Sequence, residues 1–296
     1  MKDIAVLMSV YNPGSELRLT LDSLRAQTVP FTLYLVDDGS RPKPDYTALL
    51  CGLDVRLIEL SVNRGISVAV NCGLAELLKN EHAYVARMDC GDIAHPERLE
   101  VQRRFLEGRP EVGIVGTGAL MVVEERGWTY GFAVPSGHQA IRRALRLGMP
   151  FVNPTLMIRA SVFRDIGHYS DEFRVAEDYE LACRAAKYGV GFANIQRILL
   201  RKIENAGSIS RRRRTIQLVH RLQIQWRYRD ATDPLFLLGV AKTLFLLTVP
   251  AVLIDRLKMV VRGRRRSGAT DLEFRRKVEK MVGAAGFEPA TPTPPE

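Results

Sequence analysis

The sequence lacks the cysteine patterns that organise small metal or disulfide folds. Its four cysteines, Cys51, Cys72, Cys90 and Cys183, form no CxxC pair and no cysteine–histidine cluster of the zinc type. Isolated thiols of this kind are those of a cytosol-facing domain, and they argue against a structural zinc. Internal repeats are lacking too. The start, MKDIAVLMSVYN, has neither the basic lead nor the long apolar core of a secretion signal and is expected to be a first β-strand. Acidic residues are what the later part lacks. Residues 1–200 carry 23 Lys+Arg against 24 Asp+Glu, whereas residues 201–280 carry 20 against 7. The net charge of +10 therefore belongs to a C-terminal segment and not to the main domain. Hydrophobic residues make up 46% of the 296, enough for a sizeable core. The length suits one large α/β domain, alone or with an appendage.

Ile4–Val10 is an apolar run of strand length that ends in the loop-forming Tyr11-Asn12-Pro13-Gly14. Leu17, Leu21 and Leu24 follow at the spacing of one helical face. Further strands are expected at 31–36, 55–60 and 83–88, with a helix at 68–78 and a helix start at Pro96-Glu97-Arg98-Leu99. Strand, loop and helix in this rhythm predict parallel βαβ units, which gather ligands at the carboxyl ends of their strands. The polar stretches 9–12, 37–40, 63–65 and 89–92 all stand at such ends and are expected to meet around one site. The later part is less regular: 112–123 is strand-rich, 141–147 a short helix, 151–158 a strand opening on Asn153-Pro154, and 178–188 a helix.

Past Arg201 the chain turns basic. Residues 211–214 are four arginines, 215–228 continue as a basic helix, and 234–254 are apolar with one charge, Lys242. About 20 residues cross a hydrocarbon core, so 234–254 is long enough to span one. Basic residues on both flanks suit equally a hairpin broken near Pro250 or a helix lying in the interface. Aromatic residues are few around 211–214, so an anionic membrane surface is the expected partner of the charge and nucleic acid is not. The expected organisation is a domain over 1–210, a basic and hydrophobic helical membrane-associating segment over 211–282, and a Pro-rich disordered tail over 283–296.

Four clusters carry chemistry. Asp37-Asp38-Gly39-Ser40 sets two adjacent carboxylates at a strand end, suited to a base N–H, a ribose hydroxyl or simply a solvated turn. Ser9 and Tyr11 end the neighbouring strand, where the ring could stack on a base or pack on the domain edge. Asp89-Cys90-Gly91-Asp92 offers two hard oxygen donors, the chemistry of Mg²⁺ or Mn²⁺ shared with a phosphate, or an ordinary acidic turn. Glu177-Asp178 opens a helix and is either a pair of first-turn acids or a source of general base.

The ordered set "VLMSVYN", "LDSLRAQT", "LYLVDDGS", "NRGISVAVNCGLA", "RMDCGDIAHPERLEVQ", "NPTLMIRASVFRDIGHYSDEF" and "AEDYELACRAAKYG" resembles family 2 glycosyltransferases of the GT-A fold over residues 3–210. The resemblance implies a Rossmann-like, mostly parallel sheet flanked by helices. It also implies inverting transfer, of hexosyltransferase type, from a nucleotide diphosphate sugar to a hydroxyl. Ser9, Tyr11 and Asp38 would hold the base, Asp37 would support the turn, and Arg64 would lie near base or phosphates. Asp89 would begin the metal motif and share Mg²⁺ or Mn²⁺ with Asp92, while Asp178 of the Glu177-Asp178 pair would be the base.

Three departures accompany it. Gly91 stands where the family usually has an acid, Asn153 stands where many members have His, and the QxxRW motif of processive synthases is missing. The last argues for one sugar per acceptor. The expectation is an enzyme at the cytoplasmic face of the inner (plasma) membrane, extending a lipid-linked saccharide in surface polysaccharide or lipopolysaccharide assembly. A non-catalytic nucleotide-sugar-binding protein, suggested by Gly91, and a basic nucleic-acid-binding protein are the alternatives.

Overall fold

Strands β1 (Ile4–Val10), β2 (Thr32–Asp37) and β4 (Tyr84–Asp89) are buried almost throughout, the pattern of a sheet covered on both faces. They pair in parallel, with β3 (Val55–Glu59) parallel to β2 at the exposed edge. These are the expected βαβ units, in a computed structural model that describes residues 3–123, 128–204, 213–230, 233–249, 274 and 276. Helix α1 (Glu16–Arg25) buries Leu17, Leu21 and Leu24 as their spacing predicts, each worth about 1.5–3 kcal/mol. A short α2 (Tyr46–Leu49) precedes β3, and α3 (Ile66–Leu77) packs on β1 and β2.

Beyond residue 90 the sheet becomes mixed. Its order is β3-β2-β1-β4-β8-β6-β9-β5, with β7 also on β6. The added strands are β5 (Ile93–Ala94), β6 (Val112–Val123), β7 (Trp128–Phe132), β8 (Met157–Arg159) and β9 (Gly191–Glu204). β8 runs antiparallel between β4 and β6, while β9 lies parallel to β6 and antiparallel to β5. Helices α4 (Arg98–Glu107), α5 (His138–Leu147), α6 (Ala160–Ile166) and α7 (Glu177–Lys187) complete the layers, leaving one core on each face of the sheet.

One expectation needs correction. The strand expected over 151–158 is a 3-10 turn at Asn153–Thr155 followed by only three strand residues. Pro154 fixes its own φ and has no N–H to give a ladder, so pairing starts after it. The apolar stretch 234–254 contains α9 (Pro234–Thr248), whose 15 residues reach about 22 Å. Among the described residues no helix is long and apolar enough to cross a membrane. Residues 250–254 and the 283–296 tail lie outside the described residues.

Helix α9 docks on α5 and on the basic α8 (Arg214–Arg227). Asp233 caps it by accepting from Leu235 N at 2.9 Å and pairs with Arg146 at 3.0 Å. Gly239 permits the approach: a Cβ there would lie 1.9 Å from the Arg146 carbonyl oxygen. The opposite face is left apolar and open, with Leu237 67% and Phe245 64% exposed beside Leu238 and Leu244.

Candidate active site

Register brings the predicted strand ends level. Ser9 lies across from Asp89 on one side, and Val10 from Asp37 on the other. Asp37 is buried and accepts from Ser40 N and from Tyr46 Oη, both at 2.8 Å, so it holds the turn as expected. Asp38 has a different task from open display. Its two oxygens accept from Arg64 N at 2.7 Å and Gly65 N at 2.8 Å, which fastens the loop after β3 to the end of β2. A carboxylate has about four acceptor positions, so two remain for a ligand. Asn12 N donates to Ser40 Oγ at 2.8 Å and Arg41 N donates to Asn12 Oδ1 at 2.7 Å, joining the first two loops. Tyr11 stands 53% exposed above them, and Arg64 is exposed on the third loop.

The acidic loop is a tight turn closed by Asp92 N donating to Asp89 O at 3.3 Å. Gly91 has φ +94°, and a Cβ on it would meet nothing closer than Glu16 Cγ at 3.6 Å. Backbone conformation, not space, therefore favours glycine here. Thr20 Oγ1, on α1, accepts from Gly91 N and donates to Asp92 O, both at 2.9 Å. At half-buried Cys90, burial, then Glu16 and the loop acids, push the thiol up to about 12.

Asp92 is buried and accepts from Ile203 N at 3.3 Å. Its carboxylate lies 3.4 Å from Lys202 Nζ, and that of Asp89 lies 3.5 Å from the same nitrogen. Burial raises the Asp92 carboxyl to about 7; Lys202 opposes the shift and Asp89 adds to it. Burial likewise opposes charge on Lys202, but Asp92 and Asp89 outweigh it and hold the ammonium above its ordinary range.

The expected sharing of Mg²⁺ or Mn²⁺ by Asp89 and Asp92 is not what these donors are built for. Such ions take about six oxygens in an open set. Here the carboxylates converge on Lys202, Asp89 also lies 3.6 Å from Arg87 Nη2, and the third position is Gly91. Among the described residues no group of three His, Cys, Asp or Glu could hold a metal. The residues present do not fit the ion.

Glu177 and Asp178 form the first turn of α7, half-buried at the same end of the sheet. Asp178 Oδ1 accepts from Tyr179 N at 2.7 Å. Burial and then Asp178 raise the Glu177 carboxyl to about 8. Burial also raises Asp178, with Asp89 adding to the shift and Arg87 opposing it. Arg87 thus links the two acid groups. It is buried, donates from Nη1 to Leu7 O at 2.9 Å, and lies 5.9 Å from the Tyr169 ring centre. The Tyr169 hydroxyl, also buried, has no hydrogen-bond partner and is raised to about 12, chiefly by burial. Beneath them Arg98 Nη2 donates to Arg87 O at 2.7 Å.

Sequence reasoning missed Arg87, Tyr169 and Lys202. Arg87 had a signal, a guanidinium inside an otherwise apolar strand. Lys202 had none, because its partners lie more than a hundred residues away.

The family model for Glycosyl transferase family 2 matches residues 5–167, more than half of the chain. The chain belongs to that family. An uncharacterized glycosyltransferase of Haemophilus influenzae is 32% identical to this family 2 transferase over 249 residues, 81% of this chain and 89% of that protein. The amylovoran biosynthesis glycosyltransferase AmsE of Erwinia amylovora is 30% identical over 215 residues, 71% and 79% of the two chains. Among solved structures, S. aureus TarS 1–349 in complex with UDP-GlcNAc superposes with a TM-score of 0.61 at 17% identity, covering 96% of this chain and 83% of that one. Mannosyltransferase PcManGT from Pyrobaculum calidifontis, in complex with GDP-Man and Mn²⁺, gives 0.59 at 14% identity, covering 96% and 86%. These likenesses establish the fold: the mixed α/β sheet of this family 2 transferase is GT-A-like.

Proposed function

We propose that this family 2 transferase moves one sugar from a nucleoside diphosphate sugar to a hydroxyl of a lipid-linked saccharide, with inversion, in surface polysaccharide assembly. The observation that carries the reading is Arg87, which lies 3.6 Å from Asp89 and whose charge also favours the ionised forms of Glu177 and Asp178. The acceptor oxygen forms a bond to the anomeric carbon. The bond from that carbon to the diphosphate breaks, leaving its electron pair on the phosphate oxygen, and the acceptor proton passes to Asp178. Burial makes the Asp178 carboxylate more basic than one in water, which suits a general base. Attack from its side, opposite the leaving group, gives single displacement and inversion. Tyr11 offers its exposed ring to the base, Asp38 its remaining lone pairs, Ser9 its hydroxyl and Arg64 a cation near the phosphates.

The donor class is supported by the UDP-GlcNAc and GDP-Man of the two solved neighbours. The pathway is supported by AmsE and by the O-antigen biosynthesis glycosyltransferase WbnJ of Escherichia coli, 27% identical over 188 residues. The open apolar face of α9, with Trp226 exposed on α8 and Arg229 stacked 4.9 Å from its ring, suits an anionic membrane surface. The location proposed with this reading is the cytoplasmic face of the membrane, where nucleotide sugars are available to lipid-linked acceptors. Gly91 favours one rival, a protein that binds nucleotide sugars without turning them over. A panel of UDP-, GDP- and dTDP-sugars incubated with purified protein and a membrane acceptor fraction separates the two. Transfer from one donor class, with an inverted linkage by NMR, is expected. Donor binding without transfer from any donor would leave the rival standing.

A further inference from the structure

A departing diphosphate gains a negative charge, and a fixed positive group facing it lowers the barrier. The neighbour PcManGT is complexed with Mn²⁺. In this chain the side chain of Lys202 lies between the two loop acids. Its Nζ lies 3.4 Å from Asp92 and 3.5 Å from Asp89, and the side chain as a whole is 27% exposed.

Its backbone is fixed. Neighbouring Ile203 N donates to Asp92, Arg201 pairs with Ile93 and Leu200 with Ala94, so β9 and the strand just after the acidic loop hold a single register. Asp89 and Asp92 already face three cations, Lys202, Arg87 and the buried Arg98, and Gly91 stands where a further acid could have joined them. An added dication would meet two carboxylates already engaged and two of these cations a few ångströms away.

We propose that Lys202 is the cation facing the donor diphosphate, so that nucleotide binding and sugar transfer proceed without a divalent metal. The inference rests on the donor reading given above. Lysine suits the task because its compact ammonium acts as a point charge on phosphate, and the two acids fix where it points.

Calorimetric titration with UDP and with GDP, in EDTA and in Mn²⁺, tests it together with transfer assays under both conditions. The wild-type protein is expected to bind one of the two nucleotides, and to transfer, equally well in EDTA. Lys202→Met is expected to weaken binding in EDTA about 10–100-fold, the share of a charge-assisted contact. Transfer should fall about 100–1,000-fold, while Lys202→Arg keeps most of the binding and reports that the fold survives. Wild-type binding and transfer that vanish in EDTA and return with Mn²⁺ would overturn the inference and leave the donor reading intact. So would a Lys202→Met protein indistinguishable from wild type. A protein that binds neither nucleotide under either condition overturns both.

Discussion

Thr20 reaches from α1 into the acidic loop, and replacing it with valine isolates what its hydroxyl does there. Thr20 is fully buried, and its Oγ1 accepts from Gly91 N and donates to Asp92 O at 2.9 Å. Thr20→Val substitutes a methyl of similar size, so no cavity opens and α1 keeps its β-branched residue. What remains is a buried amide and a buried carbonyl without partners, each costing about 1–3 kcal/mol. The expected loss is about 2–4 kcal/mol, or about 1 M in urea midpoint for a chain whose m-value is roughly 2–3 kcal/mol/M. Thr20→Ser is the control. It keeps both hydrogen bonds and removes one buried methyl, for about 1 kcal/mol. Urea unfolding followed by circular dichroism should rank wild type above serine and serine above valine. Because the same loop aims Asp89 and Asp92, donor affinity should fall in that order as well. A valine protein as stable as the serine one would refute the idea that this hydroxyl organises the acidic loop.

Other perturbations probe the remaining acids and the docked helix. The Glu177-Asp178 pair titrates high because burial disfavours its charge, Glu177 at about 8. A folded-state pKa raised above the unfolded value means stability present below about pH 4.5 and lost as pH rises through about 8. The urea midpoint should therefore decline from pH 5 to 9 and decline less in Glu177→Gln, measured in the same buffers. Transfer should rise with pH as Asp178 ionises. Burial and Asp89 raise that group while Asp178 in turn raises Glu177, so the limb should stay in place in Glu177→Gln; a limb that moves would contradict Asp178 as the group that ionises first. On α9, changing Leu237, Leu238 and Phe245 together to glutamine alters exposed residues only, so the unfolding midpoint should barely move. Sedimentation with phosphatidylserine vesicles should fall at least about tenfold, since each lost apolar anchor is worth up to about 1.5–3 kcal/mol. Undiminished sedimentation would contradict the membrane reading of that face.

The parallel half of the fold was legible because its strands announce themselves. Ile4–Val10 and Tyr84–Asp89 are covered on both faces, so they read as unbroken apolar runs closed by polar turns. The convergence of Ser9, Asp37 and Asp89 followed from that alone, since the ends of parallel neighbours lie side by side. The antiparallel half was not legible to the same degree. β5 and β8 have two and three residues, too few to show a period, and Pro154 hid a 3-10 turn inside an apolar stretch. Helix α9 shows a third limit. Its apolar character was plain from the sequence, but only the approach allowed by Gly239 reveals that one face is docked on α5 and α8. The site divides in the same way. Asp37 and the Glu177-Asp178 pair stood on local patterns, whereas the grip of Asp38 on the 64–65 amides and the placement of Lys202 are long-range facts.

The central claim is that the Glu177-Asp178 turn provides the base for transfer from a donor held at the strand ends. Asp178→Asn tests it most directly, because it removes the charge at nearly constant shape. Turnover with the active donor, measured by release of nucleoside diphosphate in the presence of acceptor, should fall at least about 100-fold, the contribution of a positioned base. Binding of the same nucleotide by calorimetry should stay at the wild-type value. Turnover that survives the substitution, with binding intact, would contradict the assignment of Asp178 as the base.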